Sequence, residues 1–181
     1  CTTLITSRGC PFNCIFCFPM YKRNRRRSVA NVIQEIEECI NRYDIHDFEI
    51  FDETFNLQPA WVEAFCDEVI KRKLDISWRA RCRPEFFSRD LASAMKAANC
   101  YMISMGVESA NDETLKYLKK NYTVADIHKA IHVVSEAGIW LHGYFILGAP
   151  VEDRQAMLRT IDFACRQQFD LATFSILTPL P

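Results

Sequence analysis

The sequence predicts an α/β fold of parallel βαβ units, and six such units fit a partial (β/α)6 barrel. Three observations carry that expectation. Apolar, strand-like runs alternate with stretches of helical periodicity along the whole chain. The alternation repeats six times in 181 residues, roughly thirty residues per unit, which is the size of one βαβ step. Polar residues and glycine collect just after the strand-like runs, where parallel barrels carry their chemistry. A doubly wound open sheet has the same alternation and stands as the second architecture, because periodicity does not separate the two.

Taken in order, Thr3 to Thr6 reads as a short strand leading into a cysteine-rich loop. The basic run Lys22 to Arg27 ends at Ser28, a plausible helix N-cap. Val29, Val32, Ile33, Ile36, Ile40 and Tyr43 then recur at helical spacing. Phe48 to Phe51 is the second strand, ending at Asp52-Glu53. Pro59 suits a helix start, with Val62, Phe65, Cys66, Val69 and Ile70 as its apolar stripe. Ile76 to Cys82 is the third strand, followed by a helix over 88–98. Tyr101 to Val107 is the fourth strand, and Asp112 to Lys119 is helical. Thr123-Val124-Ala125-Asp126 resembles a capping box opening a helix with the stripe Val124, Ile127, Ile131 and Val134, which Gly138 ends. Ile139 to Leu147 is the fifth strand, Asp153 to Gln167 a helix, and Leu171 to Leu177 the sixth strand.

Composition bounds the function classes. With 49% hydrophobic residues, 25% charged and a net charge of −1, the chain reads as one globular domain, 1–181, with a sizeable core. Near-neutral charge gives no general case for nucleic acid or a membrane surface. No apolar run approaches the ~20 residues of a membrane span, and no signal peptide stands at the start. Nine cysteines, an odd number scattered over helices and strands, do not form a secreted disulfide framework, so a reducing cytoplasm is the expected setting. Cys39, Cys66 and Cys165 fall on helical stripes and read as core packing. The chain begins at Cys1 and stops at Thr178-Pro179-Leu180-Pro181 just after a strand, as a domain excised from a longer protein would.

The densest chemistry lies in Cys10-Pro11-Phe12-Asn13-Cys14-Ile15-Phe16-Cys17, a C-x3-C-x2-C loop. Thiolates ligate soft metals and iron–sulfur clusters. Three close cysteines without an obvious fourth fit a four-iron cluster with one iron left open, because closed zinc and cluster sites usually take four ligands. The alternatives are a zinc knuckle completed by Cys1, Cys82 or a distant residue, and a chance grouping in a cysteine-rich chain. This loop, following a short apolar strand, resembles the signature of the radical S-adenosylmethionine (radical SAM) enzymes. Ser7-Arg8-Gly9-Cys10-Pro11-Phe12-Asn13-Cys14 resembles the subgroup that carries a cobalamin-binding domain upstream. The resemblance implies a TIM-like partial barrel, a [4Fe–4S] cluster on Cys10, Cys14 and Cys17, and S-adenosylmethionine (SAM) chelating the fourth iron, with Phe16 near its adenine.

The same resemblance assigns the strand ends. Asp52 and Glu53 are similar to an acidic turn that approaches the SAM amino group. Arg83, closing Trp78 to Arg83, would pair with the SAM carboxylate or with Glu108. Glu108 and Ser109, in Met105-Gly106-Val107-Glu108-Ser109, would meet the ribose or the methionyl part. Ile146 and Gly148, in Gly143 to Pro150, would lie along the adenine. Val151 stands where the family commonly has glycine, which weakens any role carried over to Glu152. His128 and His132, four apart on an outer helix, read as a surface pair, and His142 and Tyr144 share the face of Ile146 toward the barrel interior. The Lys22 to Arg27 run reads as a solvated loop. In function the resemblance implies reductive SAM cleavage to a 5′-deoxyadenosyl radical in a cobalamin-linked methyltransferase or ring-forming enzyme, with a flavodoxin- or ferredoxin-type electron donor. A methylthiotransferase acting on RNA or ribosomal protein is the enzyme alternative, and a zinc- or iron–sulfur-binding interaction module the non-enzyme one.

Overall fold

The structure is a computed structural model and describes residues 1–18 and 21–178. The terminal Pro179-Leu180-Pro181, read above as part of the cut end, lies outside them. Among the described residues, eight strands and six α-helices follow in the order β1 (Thr2–Leu4), β2 (Ser7–Arg8), β3 (Arg25–Arg26), α1 (Val29–Tyr43), β4 (Asp47–Ile50), α2 (Pro59–Lys71), β5 (Ser77–Cys82), α3 (Arg89–Ala97), β6 (Cys100–Glu108), α4 (Asp112–Tyr117), α5 (Val124–Glu136), β7 (Trp140–Leu147), α6 (Arg154–Arg166) and β8 (Leu171–Ile176). Six strands form one sheet in the order β1-β4-β5-β6-β7-β8, every neighbouring pair parallel. A doubly wound sheet reverses direction at a switch point. This order follows the chain without reversal, so the sheet winds one way, as a partial barrel does.

Local chemistry sets the elements. Ser28, Ser88 and Asp153 each accept a backbone N–H as helix N-caps, and Thr123 and Asp126 close a full capping box. Gly138 takes φ +70° just past α5. The helix-facing sheet side is apolar: Leu4, Phe48, Ile50, Trp78, Ala80, Ile103, Met105 and Phe145 are all buried. Phe55 meets Trp61, Phe65 and Trp78 edge-on at 5.5 to 6.1 Å between centroids, which anchors the turn after β4. Gly143 has no room for a side chain, since a Cβ there would stand 2.8 Å from the rings of Phe145 and Phe169.

Several sequence expectations need correction at their edges. Tyr43 and Ile70 end their helical stripes exposed, because the last turn of each helix runs past the sheet. Phe51 lies beyond β4, exposed, with the Arg81 guanidinium 3.7 Å above its ring. Cys165 is exposed on α6; Cys66 is buried and Cys39 half-buried, as core packing requires.

Candidate cluster and cofactor site

The cysteine loop is pinched off at its base. β2 and β3 pair antiparallel, Ser7 opposite Arg26 and Arg8 opposite Arg25, so the chain leaves and returns at one point. Gly9 has φ +89°, and a Cβ there would collide with the Arg23 carbonyl oxygen and lie 2.9 Å from that of Tyr21. Backbone oxygens cannot swing aside, so this position requires glycine. Within the loop, Cys10 N–H donates to Tyr21 O at 3.0 Å and Cys17 N–H to Cys14 O at 3.2 Å. Asn24 donates to Gly9 O at 2.8 Å, and Lys22 donates to Asn13 Oδ1 at 2.9 Å. Ile15 N–H reaches Leu118 O at 3.2 Å and ties the loop to the end of α4.

Cys10, Cys14, Phe16 and Cys17 open onto one cavity of about 410 Å3 at the C-terminal mouth of the sheet. Glu53 and Thr54 border it from the end of β4, Arg81 to Arg83 from β5, Ser104, Gly106 and Glu108 from β6, Tyr144 from β7, and Lys120 from the connection after α4. Alternation along each strand produces this: Trp78, Ala80, Ile103, Met105 and Val107 turn to the helices, while Arg81, Ser104 and Gly106 turn inward.

Lys120 and Glu108 are the charged pair of the cavity, 2.7 Å apart with side chains only 7% and 8% exposed. A register shift between Gly106 and Glu108 bulges β6, and Glu108 sits at φ +65°. Such conformations are strained for a side chain with a Cβ and cluster at functional sites. The carboxylate folds back over Gly106, where a Cβ would stand 2.7 Å from Glu108 Oε1. Lys120 Nζ also lies 5.1 Å from the Phe16 ring centre and 5.5 Å from that of Tyr122. The Tyr122 hydroxyl donates to Gly106 O at 2.7 Å, and burial and the Glu108 charge push its pKa well up, so it stays a neutral donor. Sequence reading missed Lys120, because one lysine in Lys119-Lys120-Asn121 carries no pattern. Its only signal was a place shortly after the Gly106-Val107-Glu108 run.

Arg83 does not pair with Glu108, as the sequence had allowed. Its Nε donates to Glu85 Oε1 at 2.7 Å, its guanidinium lies 3.6 Å from the Phe12 ring centre, and Nη1 stands 3.8 Å from Cys14 Sγ. Burial opposes its charge, and Glu85 more than offsets this. Asp52 is turned away from the cavity: it is buried and accepts four hydrogen bonds, from Thr6 N–H and Oγ1 at 2.7 and 2.6 Å and from Ser7 N–H and Oγ at 3.0 and 2.6 Å. Its neighbour Glu53 is the exposed carboxylate of that turn.

Ser109, Gly148 and Glu152 also form a unit away from the cavity. Glu152 Oε2 accepts from Gly148 and Ala149 N–H at 2.9 and 3.0 Å, and Ser109 Oγ donates to Oε1 at 3.3 Å. The turn therefore closes with Val151 in place, and Glu152 fastens it. Ile146 is half-buried on the face of Tyr144, beyond the cavity lining. His142 is buried lower on that face, its ring 4.2 Å from the Tyr144 ring and Nε2 2.8 Å from Thr173 Oγ1. His128 and His132 are exposed on α5, and His132 meets Glu136 at 3.3 Å.

The donor set fits an iron–sulfur cluster better than a single zinc ion. Among the described residues no three His, Cys, Asp or Glu side chains converge on one ion position, whereas a cluster takes its thiolates one per iron around a larger volume. Desolvation raises the Cys17 thiol, Cys14 and Cys10 raise it further, and Lys120 and Lys22 oppose them. A thiol held neutral in this way, like Cys17, gains most from cationic iron beside it. Cys82 borders the same cavity from β5, and desolvation drives its thiol pKa far up.

The profile of the Radical SAM superfamily matches residues 4–164. Over 181 residues the chain is 36% identical to an uncharacterized methyltransferase of Pyrococcus horikoshii, covering 98% of this chain and 39% of that protein. It is 33% identical to an anaerobic magnesium-protoporphyrin IX monomethyl ester cyclase of Cereibacter sphaeroides, covering 97% and 30%. Among solved structures, the radical S-adenosylmethionine methyltransferase TsrM of Kitasatospora setae, with cobalamin and a [4Fe–4S] cluster bound, superposes with a TM-score of 0.89 at 22% identity, over 97% of this chain and 36% of that one. The chain thus spans 30–39% of the length of these proteins.

Proposed function

Because the chain belongs to the Radical SAM superfamily, we propose that it is the catalytic core of a cobalamin-linked methyltransferase or ring-forming enzyme, holding a [4Fe–4S] cluster on Cys10, Cys14 and Cys17 and SAM beside it. The observation that carries this reading is the single cavity shared by three free cysteines and the polar strand ends. Held by Cys10, Cys14 and Cys17, a bound cluster would supply the one-electron reduction on which radical chemistry with SAM depends. The protein's own residues bind and orient. Glu53 presents a carboxylate to the SAM ammonium, and Lys120 and Arg81 present cations to its carboxylate. Glu108 and Ser104 offer acceptors to ribose hydroxyls, and the Phe16 ring gives the adenine an apolar face. Asp52, Ser109, Gly148 and Glu152 act indirectly, by fixing the loops that carry these groups.

Cobalamin would come from a domain outside these 181 residues, in keeping with the greater length of the relatives. No described helix is long and apolar enough to cross a membrane, and a reducing cytoplasm suits exposed thiols and a cluster. The reaction calls for a one-electron donor, a role a flavodoxin- or ferredoxin-type protein would fill. Anaerobic reconstitution tests the core of the reading. The protein should hold about four irons and four sulfides, the triple Cys10, Cys14 and Cys17→Ala variant should hold none, and the Cys39, Cys66 and Cys165→Ala variant should keep them. About one zinc per chain without sulfide would overturn it.

A further inference from the structure

We propose that the outer face of the cysteine loop is the docking surface for a small acidic one-electron carrier protein. The proposal rests on the cluster reading above. A groove of about 670 Å3 runs along that face, between Pro11-Phe12-Asn13 and the connection from α4 to α5. Lys116 and Lys119 stand exposed along one wall, and exposed Lys22 lies behind the other, bonded to the lining residue Asn13 through Oδ1 at 2.9 Å. Two carboxylates share the groove, and both are held to backbone. Asp112 accepts from Val124 N–H at 2.8 Å, and Asp126 accepts from Thr123 N–H and Oγ1 at 2.8 Å. They offset the start of α5, while the three lysines face solvent. In a chain of net charge −1 this is a local concentration of cations, the kind of patch that steers an acidic partner.

The groove also lies at the back of the cofactor cavity. Lys120 lines both. Phe12 borders the groove and carries Arg83, a cavity residue, 3.6 Å from its ring centre. One layer of side chains therefore separates a docked carrier from the cluster thiolates, and the cavity mouth stays free for SAM and substrate. The transfer is simple: the carrier loses one electron, the bound cluster gains it, and no bond or proton moves. The other basic groove, lined by Thr3, Ile5, Arg8, Arg25 and Arg27, includes no residue of the Cys10 to Cys17 loop. It serves as the control.

The test is stopped-flow reduction of the cluster-loaded protein under anaerobic conditions, with flavodoxin hydroquinone in one arm and reduced ferredoxin in the other. At least one carrier should reduce the cluster with a second-order rate that falls steeply from about 50 to about 500 mM salt. Lys116→Glu with Lys119→Glu should slow that carrier about tenfold at low salt, and Lys116→Glu alone by an intermediate factor. Arg8→Glu with Arg25→Glu should leave the rate within about twofold. Photoreduced deazaflavin, small and free of any docking need, should reduce all variants alike. Equal slowing in the arginine variant, or rates indifferent to salt and to the lysine changes, would overturn the docking surface while leaving the cluster reading intact. Protein that takes up no iron, or iron that deazaflavin fails to reduce, would overturn the cluster reading and the docking proposal with it.

Discussion

Breaking the Lys120–Glu108 pair tests the site most directly. Lys120→Met keeps the length of the stem and removes the ammonium, stranding a carboxylate that is 8% exposed. Losing one partner of a buried pair costs about 3–5 kcal/mol. Water entering the cavity favours the lower end, and at about 2–4 °C per kcal/mol for a chain of this size the melting temperature should fall by roughly 6–12 °C. Adding Glu108→Gln removes the stranded charge, so the double variant should recover much of the loss, with a coupling of at least about 1.5 kcal/mol. Circular dichroism melts of the four proteins measure all of this. Equilibrium dialysis on cluster-loaded protein should give Lys120→Met a SAM affinity about 5- to 150-fold weaker at normal iron content, the loss of one charge-assisted bond. A melting point within about 1 °C of the parent, or a double-mutant cycle that is simply additive, would refute the reasoning.

Two other outcomes follow from the geometry. Gly9→Ala should keep its far-ultraviolet circular dichroism but shed iron on anaerobic gel filtration, because a Cβ at φ +89° meets fixed carbonyl oxygens at the base of the cluster loop; iron retention equal to the parent would contradict the role of that turn. Desolvation lowers the His142 pKa below 6.5, so the stability it contributes is fully present above that value and lost as pH falls toward the depressed folded value, and the parent's melting temperature should drop more than that of His142→Gln between about pH 7.5 and about pH 5.5.

Much of the architecture was legible because it depends on period and punctuation. Apolar spacing located α1, α2 and α5, and Ser28, Ser88, Thr123 and Gly138 marked boundaries that the structure keeps. Barrel against open sheet was not legible, since strand order is a long-range property that alternation leaves undetermined. Cysteine spacing pointed to this loop because three cysteines fall within eight residues. Lys120 was invisible for the opposite reason: it reaches the site through a connection whose path only the folded chain defines. Arg83 was legible as a strand-end residue, yet its partner was not, because Glu85 and Phe12 became its neighbours only when the cysteine loop folded over β5.

The acidic residues make the limit sharper. Asp52, Glu108 and Glu152 all lie at or just after the ends of parallel strands, and in sequence only the neighbouring Val151 sets Glu152 apart. Asp52 spends both oxygens on Thr6 and Ser7, so it sets where the chain turns from β1 toward the cysteines. Glu152 spends Oε2 on two backbone N–H groups and thereby replaces the conformational freedom that a glycine at 151 would have given. Glu108 alone borders the cavity: Lys120 holds it by Oε1, and among the described residues no hydrogen bond engages its other oxygen. What separates the three is the local backbone. The β6 bulge and the missing side chain at Gly106 turn Glu108 inward, at the cost of a left-handed residue. That strain persists because Lys120 and Tyr122 hold the turn from both sides. Glu108 is thus a strained, paired carboxylate on the cavity wall, whereas Asp52 and Glu152 are fastened to the chain around them.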